Sequence, residues 1–192
     1  MVPAVSRGPV VAVLAAFALL LSAIGCGPSN GGETTPEDYA KAVCSNLLTW
    51  KQGVTNDSAA LSRKLQARSL DVATVKAMYT AFFEGVVRRT DALLKGVETA
   101  GAPRLDDGAN YARDLRAALA DARAGLADAR ARFAALPARD LRSYAAGATK
   151  IRDELGRVFL GVGAALDRLS RTYRDRGLND AFDQEADCKG LA

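Results

Sequence analysis

The residues best suited to covalent chemistry in this chain are three cysteines, Cys26, Cys44 and Cys188. A thiol can be acylated, can pair with a second thiol, or can bind a metal as the thiolate. The spacing of these three resembles no metal-binding cluster. Histidine is absent, which removes the commonest general base and the commonest transition-metal ligand. Beyond Met1 the only methionine is Met78, so haem has few axial ligands to choose from. The Glu-x-x-His pairs of di-iron bundles do not occur. Asp57 is almost the only acid on an apolar helical stripe, so two inward carboxylates facing one cleft are not expected. Neither a phosphate-cradling glycine loop nor a Gly-x-Ser-x-Gly elbow is present. These residues point to a non-enzymatic protein with no cofactor and no metal.

The first cysteine has a distinctive setting. Arg7 is the only charged side chain before Glu33, and Pro9 to Ile24 is an uncharged, largely apolar run. A charged start followed by an apolar run is the layout of a secretory signal. The run falls short of the ~20 residues that span a bilayer comfortably. It ends in Ala23-Ile24-Gly25-Cys26, which resembles the lipobox of bacterial lipoproteins. The resemblance implies a diacylglyceryl group on the Cys26 thiol and cleavage just before it. A plain signal peptide cut elsewhere and an uncleaved anchor are the alternatives. Two acyl chains anchor stably where one holds only marginally. With Cys26 acylated, Cys44 and Cys188 form an even pair in an oxidising compartment, which reads as a disulfide; two buried free thiols are the alternative.

Removing residues 1–25 takes away Arg7 alone among the charges, leaving 25 Lys+Arg against 22 Asp+Glu, a net charge of +3. That is a mixed surface, not the basic patch of a nucleic-acid binder. Residues 27–35, Gly-Pro-Ser-Asn-Gly-Gly-Glu-Thr-Thr, read as a flexible tether, reaching roughly 15–18 Å as a random coil. The expected organisation is a signal peptide over 1–25, a lipidated Cys26 with a linker over 26–35, and a helical domain over 36–192.

Four long amphipathic helices follow. Thr35-Pro36-Glu37-Asp38 combines a cap, a first-turn proline and two acids at the positive end of the dipole. Apolar residues then recur at helical spacing from Tyr39 to Leu65; Gly53 to Ser58 is the weak point, although the phase is kept across it. Ser69-Leu70-Asp71 reads as a turn and cap, and a second helix follows with Val72, Val75, Tyr79, Phe82, Val86, Leu93 and Val97 in phase, stopped by Gly101-Ala102-Pro103. A third opens near Asp106-Asp107 and carries the cleanest stripe, Ala112 to Leu136. A fourth begins after Pro137, capped by Asp140, with a stripe running from Leu141 through Phe159 and Leu166 to Tyr173 and a stop at Gly177. Asn179 should then cap a short helix ending at Cys188. No stretch alternates with the period of a strand. The fold class expected is all-α, an antiparallel four-helix bundle with a short C-terminal helix.

Two features invite further reading. Gly156, Gly161 and Gly163 interrupt the fourth helix, where each costs about 1 kcal/mol against alanine. Close helix packing, or a notch for a ring such as Phe82 or Phe83, explains them; a small apolar cavity for a lipid-like ligand is the alternative. In the Phe82-Phe83 pair, Phe82 is in phase with the core. Phe83, about 100° around the helix, packs on a neighbouring helix or serves as an exposed partner anchor.

The run Ala-Val-Cys-Ser-Asn-Leu-Leu-Thr-Trp at 42–50, the alanine-rich helices and the closing Ala-Phe…Ala-Asp-Cys-Lys-Gly-Leu at 181–191 resemble small secreted or lipid-anchored proteins of actinobacteria that are largely uncharacterised. The resemblance implies a Cys44–Cys188 bridge and no known activity. The expected function is that of a lipoprotein held in the bilayer through acylated Cys26, on the extracytoplasmic face of the cell membrane, binding another envelope component. Carriage of a small apolar ligand in the bundle interior is the alternative.

Overall fold

The computed structural model describes residues 32–66 and 70–191. Four long helices, α1 (Pro36–Leu65), α2 (Val72–Thr99), α3 (Gly108–Ala135) and α4 (Leu141–Thr172), are followed by two short ones, α5 (Arg176–Gln184) and α6 (Ala186–Lys189). The fold is an all-α helical bundle. Successive long helices are antiparallel, because higher numbers on one meet lower numbers on the next: Asp57 faces Arg89 while Asn46 faces Gly96, Asp91 faces Arg123 while Phe83 faces Phe133, and Arg132 faces Glu154 while Asp114 faces Tyr173 at the end of α4.

Local chemistry accounts for most helix starts. The Thr35 side chain accepts from the Asp38 amide, Asp71 from that of Thr74, and Asp140 from those of Arg142 and Ser143. Gly101 ends the α2 hairpin with φ of 76°, a left-handed conformation open to glycine at no steric cost. Helix α1 passes through Gly53–Ser58 unbroken.

Three expectations for the chain ends need correction. The end of the expected tether is paired: β1 (Glu33–Thr34) forms a short parallel bridge with β2 (Ala102–Pro103), and the Arg104 amide donates to the Thr34 carbonyl at 2.7 Å. The fourth helix stops at Thr172, not at Gly177, because Tyr173 leaves the helical region (φ −100°, ψ 78°). Asp175, not Asn179, caps the next helix by accepting from the Leu178 amide, and Gly177 lies in its first turn.

The core has two halves. At the end holding β1 and β2, Tyr39, Val43, Leu93, Val97, Leu115, Leu119, Leu169 and Leu178 pack together. At the other, Phe83, Val86, Val87, Leu126, Phe133 and Ile151 do. The α3 stripe from Ala112 to Phe133 is buried as expected. The α4 stripe is not. Tyr144, Ile151 and Leu169 are its buried members, while Leu141, Phe159 and Leu166 are exposed. The physical reason lies in the connectivity: α4 packs on α3, whereas α5 and α6 lie against α1 and occupy surface that a closed ring would offer to α4.

Candidate functional site

Cys44 on α1 and Cys188 on α6 are disulfide-bonded, with Cα atoms 5.0 Å apart across a sequence separation of 144. Cys44 is buried. Around the bridge, Lys51 Nζ donates to the carbonyls of Gly190 and Leu191 at 3.2 and 2.9 Å, holding the last turn against α1. Cys26 and residues 1–25, the stretch expected to be a signal peptide, lie outside the described residues. No helix among the described residues is long and apolar enough to cross a membrane. The described residues also contain no group of three or more His, Cys, Asp or Glu side chains that could hold a metal ion.

Next to the bridge is an aromatic cluster. Tyr39 meets Tyr111 and Phe182 edge-on at 6.0 and 6.4 Å between ring centroids, and Tyr111 meets Tyr173 at 5.6 Å. Burial pushes the Tyr111 hydroxyl up to about 12, and pushes Tyr39 higher still, with Tyr111 adding to the effect. Tyr39 is fully buried and its hydroxyl has no hydrogen-bond partner. The Tyr173 hydroxyl, in contrast, donates to Asp114 at 2.7 Å and ties the end of α4 to α3. Packed edge to face, these rings form one continuous aromatic wall.

The α1–α2 seam explains the irregular part of the first helix. Arg89 donates from Nε and Nη2 to the two Asp57 carboxylate oxygens at 2.7 and 3.0 Å. Its guanidinium crosses the surface of Gly53, where a methyl group would collide with it. The hydrogen bonds hold the Asp57 carboxyl below the usual carboxylate range and raise Arg89. Seven residues away on each helix the arrangement recurs: the Asn46 amide fills the space over Gly96. Between them Trp50 Nε1 donates to the buried Thr90 hydroxyl at 3.0 Å, and that hydroxyl donates to the Val86 carbonyl at 2.9 Å.

Beyond Asp57 the two helices border an open groove of about 720 Å³. Leu61, Met78 and Phe82 supply apolar wall, the small side chains of Ala77 and Ala81 and the bare backbone of Gly85 leave it open, and Lys64, Arg88 and Arg89 bring positive charge. This groove lies on the surface, outside the two buried clusters. The phenylalanine expectation is reversed in part: Phe83 is the core ring, stacked on Phe133 at 4.8 Å, and Phe82 is only partly buried, edge-on to Phe83 and lining the groove.

The glycine expectation is overturned. A β-carbon at Gly156, Gly161 or Gly163 would meet nothing within 4 Å, so these residues neither allow close packing inside the protomer nor frame a notch for a ring or a cavity. From 156 to 168 no α4 side chain is buried. All the large hydrophobic side chains that stand exposed among the described residues, Leu141, Phe159, Leu160 and Leu166, are on this helix. Periodicity identifies the stripe but not which part of it finds a neighbour.

No protein-family model matches this chain, and comparison with curated proteins and with solved structures returns no match.

Proposed function

We propose that this chain is an extracytoplasmic lipoprotein, non-enzymatic, held in the cell membrane by acylated Cys26, and that its helical domain docks another component of the envelope. The observation that carries this reading is the Cys44–Cys188 disulfide. It uses both cysteines of the folded domain, is the pairing expected of an oxidising compartment, and leaves Cys26 single at the end of an apolar run. The exposed apolar side chains of α4 support a docking role, because exposed apolar patches on soluble domains mark interaction sites. An intact mass of the protein purified from membranes, with and without reductant, tests it. A chain beginning at Cys26 with added acyl mass, gaining two hydrogens on reduction, is the expected result. A chain beginning elsewhere, or one without acyl mass, overturns the anchor.

The α1–α2 groove favours a second reading, capture of an anionic amphiphile with its chain along Leu61, Met78 and Phe82 and its head near Lys64 and Arg88. Displacement of a fluorescent fatty acid from the purified protein, lost in Phe82→Asp, would support it; no displaceable binding would end it.

A further inference from the structure

We infer that the exposed face of α4 is a self-association surface on which two copies of this chain pair antiparallel about a two-fold axis. This rests on the docking reading of α4 above, making a second copy of this chain the envelope component that the helix meets, and does not depend on acylation of Cys26.

The face is a seam. Arg152, Gly156, Phe159, Gly163, Leu166 and Ser170 follow one another at intervals of four and three residues, the spacing that keeps side chains along one side of a helix facing a partner helix. All of these residues are exposed. Glycine inside a helix costs about 1 kcal/mol against alanine, and Gly156 and Gly163 gain nothing from their own protomer, since a β-carbon on either would meet open space. Both would serve a second backbone approaching closely.

The residue order along the seam selects the occupant. About the midpoint between Phe159 and Leu160, Gly156 and Gly163 are equidistant, and so are Arg152 and Asp167. An isologous two-fold contact places each residue opposite its counterpart in that order. It therefore sets Gly156 against Gly163 of the second copy, Phe159 against Leu160 between the two glycine pairs, Arg152 against Asp167, and Leu166 against Asp153, each twice. In the single protomer the Arg152 guanidinium reaches only its sequence neighbour Asp153, with both side chains more than half exposed. Asp167 has no ion pair among the described residues. Arg152 and Asp167 are thus complementary across the same surface turned around, whereas a parallel pairing would set each against its own like charge. The other three helices each lack an exposed large hydrophobic residue among the described positions.

The test uses the full-length protein extracted in a mild detergent, sized by light scattering with the detergent mass subtracted. Two chains per particle are expected, dissociating on dilution. Leu160→Glu, at a side chain 76% exposed, should weaken the dimer at least tenfold with an unchanged helical spectrum. Asp167→Arg should weaken it as well, and Arg152→Asp with Asp167→Arg should restore it. For register, Gly156→Cys and Gly163→Cys proteins should form a disulfide-linked dimer when mixed and none when kept apart. A single chain per particle at every concentration overturns the inference, as does a dimer indifferent to Leu160→Glu or one linked by either cysteine variant alone. A monomer that binds an envelope protein or lipid vesicles through α4 also overturns it, while leaving the docking reading standing.

Discussion

Arg89 of α2 lies across Gly53 of α1 and closes on Asp57 one turn further along, so a single side chain fills the place of a missing methyl and neutralises an acid on an apolar stripe. Two residues that look unsuited to a long helix are the two halves of one seat. Helix α1 remains continuous because its weak stretch is held from outside.

The seat makes a coupling prediction. Glycine to alanine inside a helix ordinarily stabilises by about 1 kcal/mol. Gly53→Ala should instead be neutral or destabilising, because the methyl displaces Arg89 from Asp57. In an Arg89→Ala background the same change should recover the ordinary gain. Urea unfolding of the four proteins, followed by circular dichroism, measures the coupling; simple additivity would show that Arg89 does not rest on Gly53.

The same pair predicts an acid dependence. Asp57 has a folded-state pKa below its unfolded value, with the Arg89 hydrogen bond as the main cause. The stability it contributes is present above the ordinary carboxylate range and is lost as pH falls through the depressed value. Both side chains are a third or more exposed, which limits the pair to roughly 0.2–1 kcal/mol. The stability difference between the native protein and Asp57→Asn should be visible at neutral pH and vanish in strong acid. A difference that persists there would mean Asp57 acts through shape and not charge.

Trp50 offers a direct reporter, since it is the only tryptophan of the chain. Its indole N–H donates to Thr90, which is itself buried. Thr90→Val should move the indole N–H resonance and destabilise the protein by about 1 kcal/mol, the net value of one lost hydrogen bond. An unmoved resonance would remove the bond from the description of this seam.

Loss of the Cys44–Cys188 bridge should cost up to about 4–5 kcal/mol on the chain-entropy model for so long a loop. The effect should be regional as well as global. Cys188→Ser should strip hydrogen-exchange protection from α5 and α6 first, because α6 is a single turn and leans on α1 through the bridge and Lys51. Protection lost evenly across all helices would contradict that order.

Much of this architecture is legible residue by residue where its causes are local. Thr35, Asp71 and Asp140 cap helices because their side chains reach amides two or three positions away. The α3 stripe reads cleanly because α3 has neighbours along its length, α2 on one side and α4 on the other. Features set by distant partners do not read this way. Glu33 and Thr34 are ordered by Ala102 and Pro103, and the Tyr173 hydroxyl contacts Asp114 from the residue where α4 ends. The three glycines of α4 look like packing devices in sequence, and only the position of α3 shows that nothing in the protomer packs there. In the candidate site, the cysteine pair is readable by counting, whereas the groove beside Asp57 depends on which residues of α1 and α2 face each other.

The sulfur bridge also decides how the molecule carries tension. Residue 44 is near the start of α1 and residue 188 near the end of the chain. A pull applied at residues 33 and 191 therefore runs down the first turns of α1, crosses the sulfurs, and leaves through the residues after Cys188. The segment between them is a closed covalent loop that bears none of that end-to-end load. Pulled between residues 33 and 191, the domain would thus yield by lifting away its first strand and first turns, while the hairpins inside the loop stayed folded, and a force–extension trace should rise stiffly after that short release until the thiols are reduced.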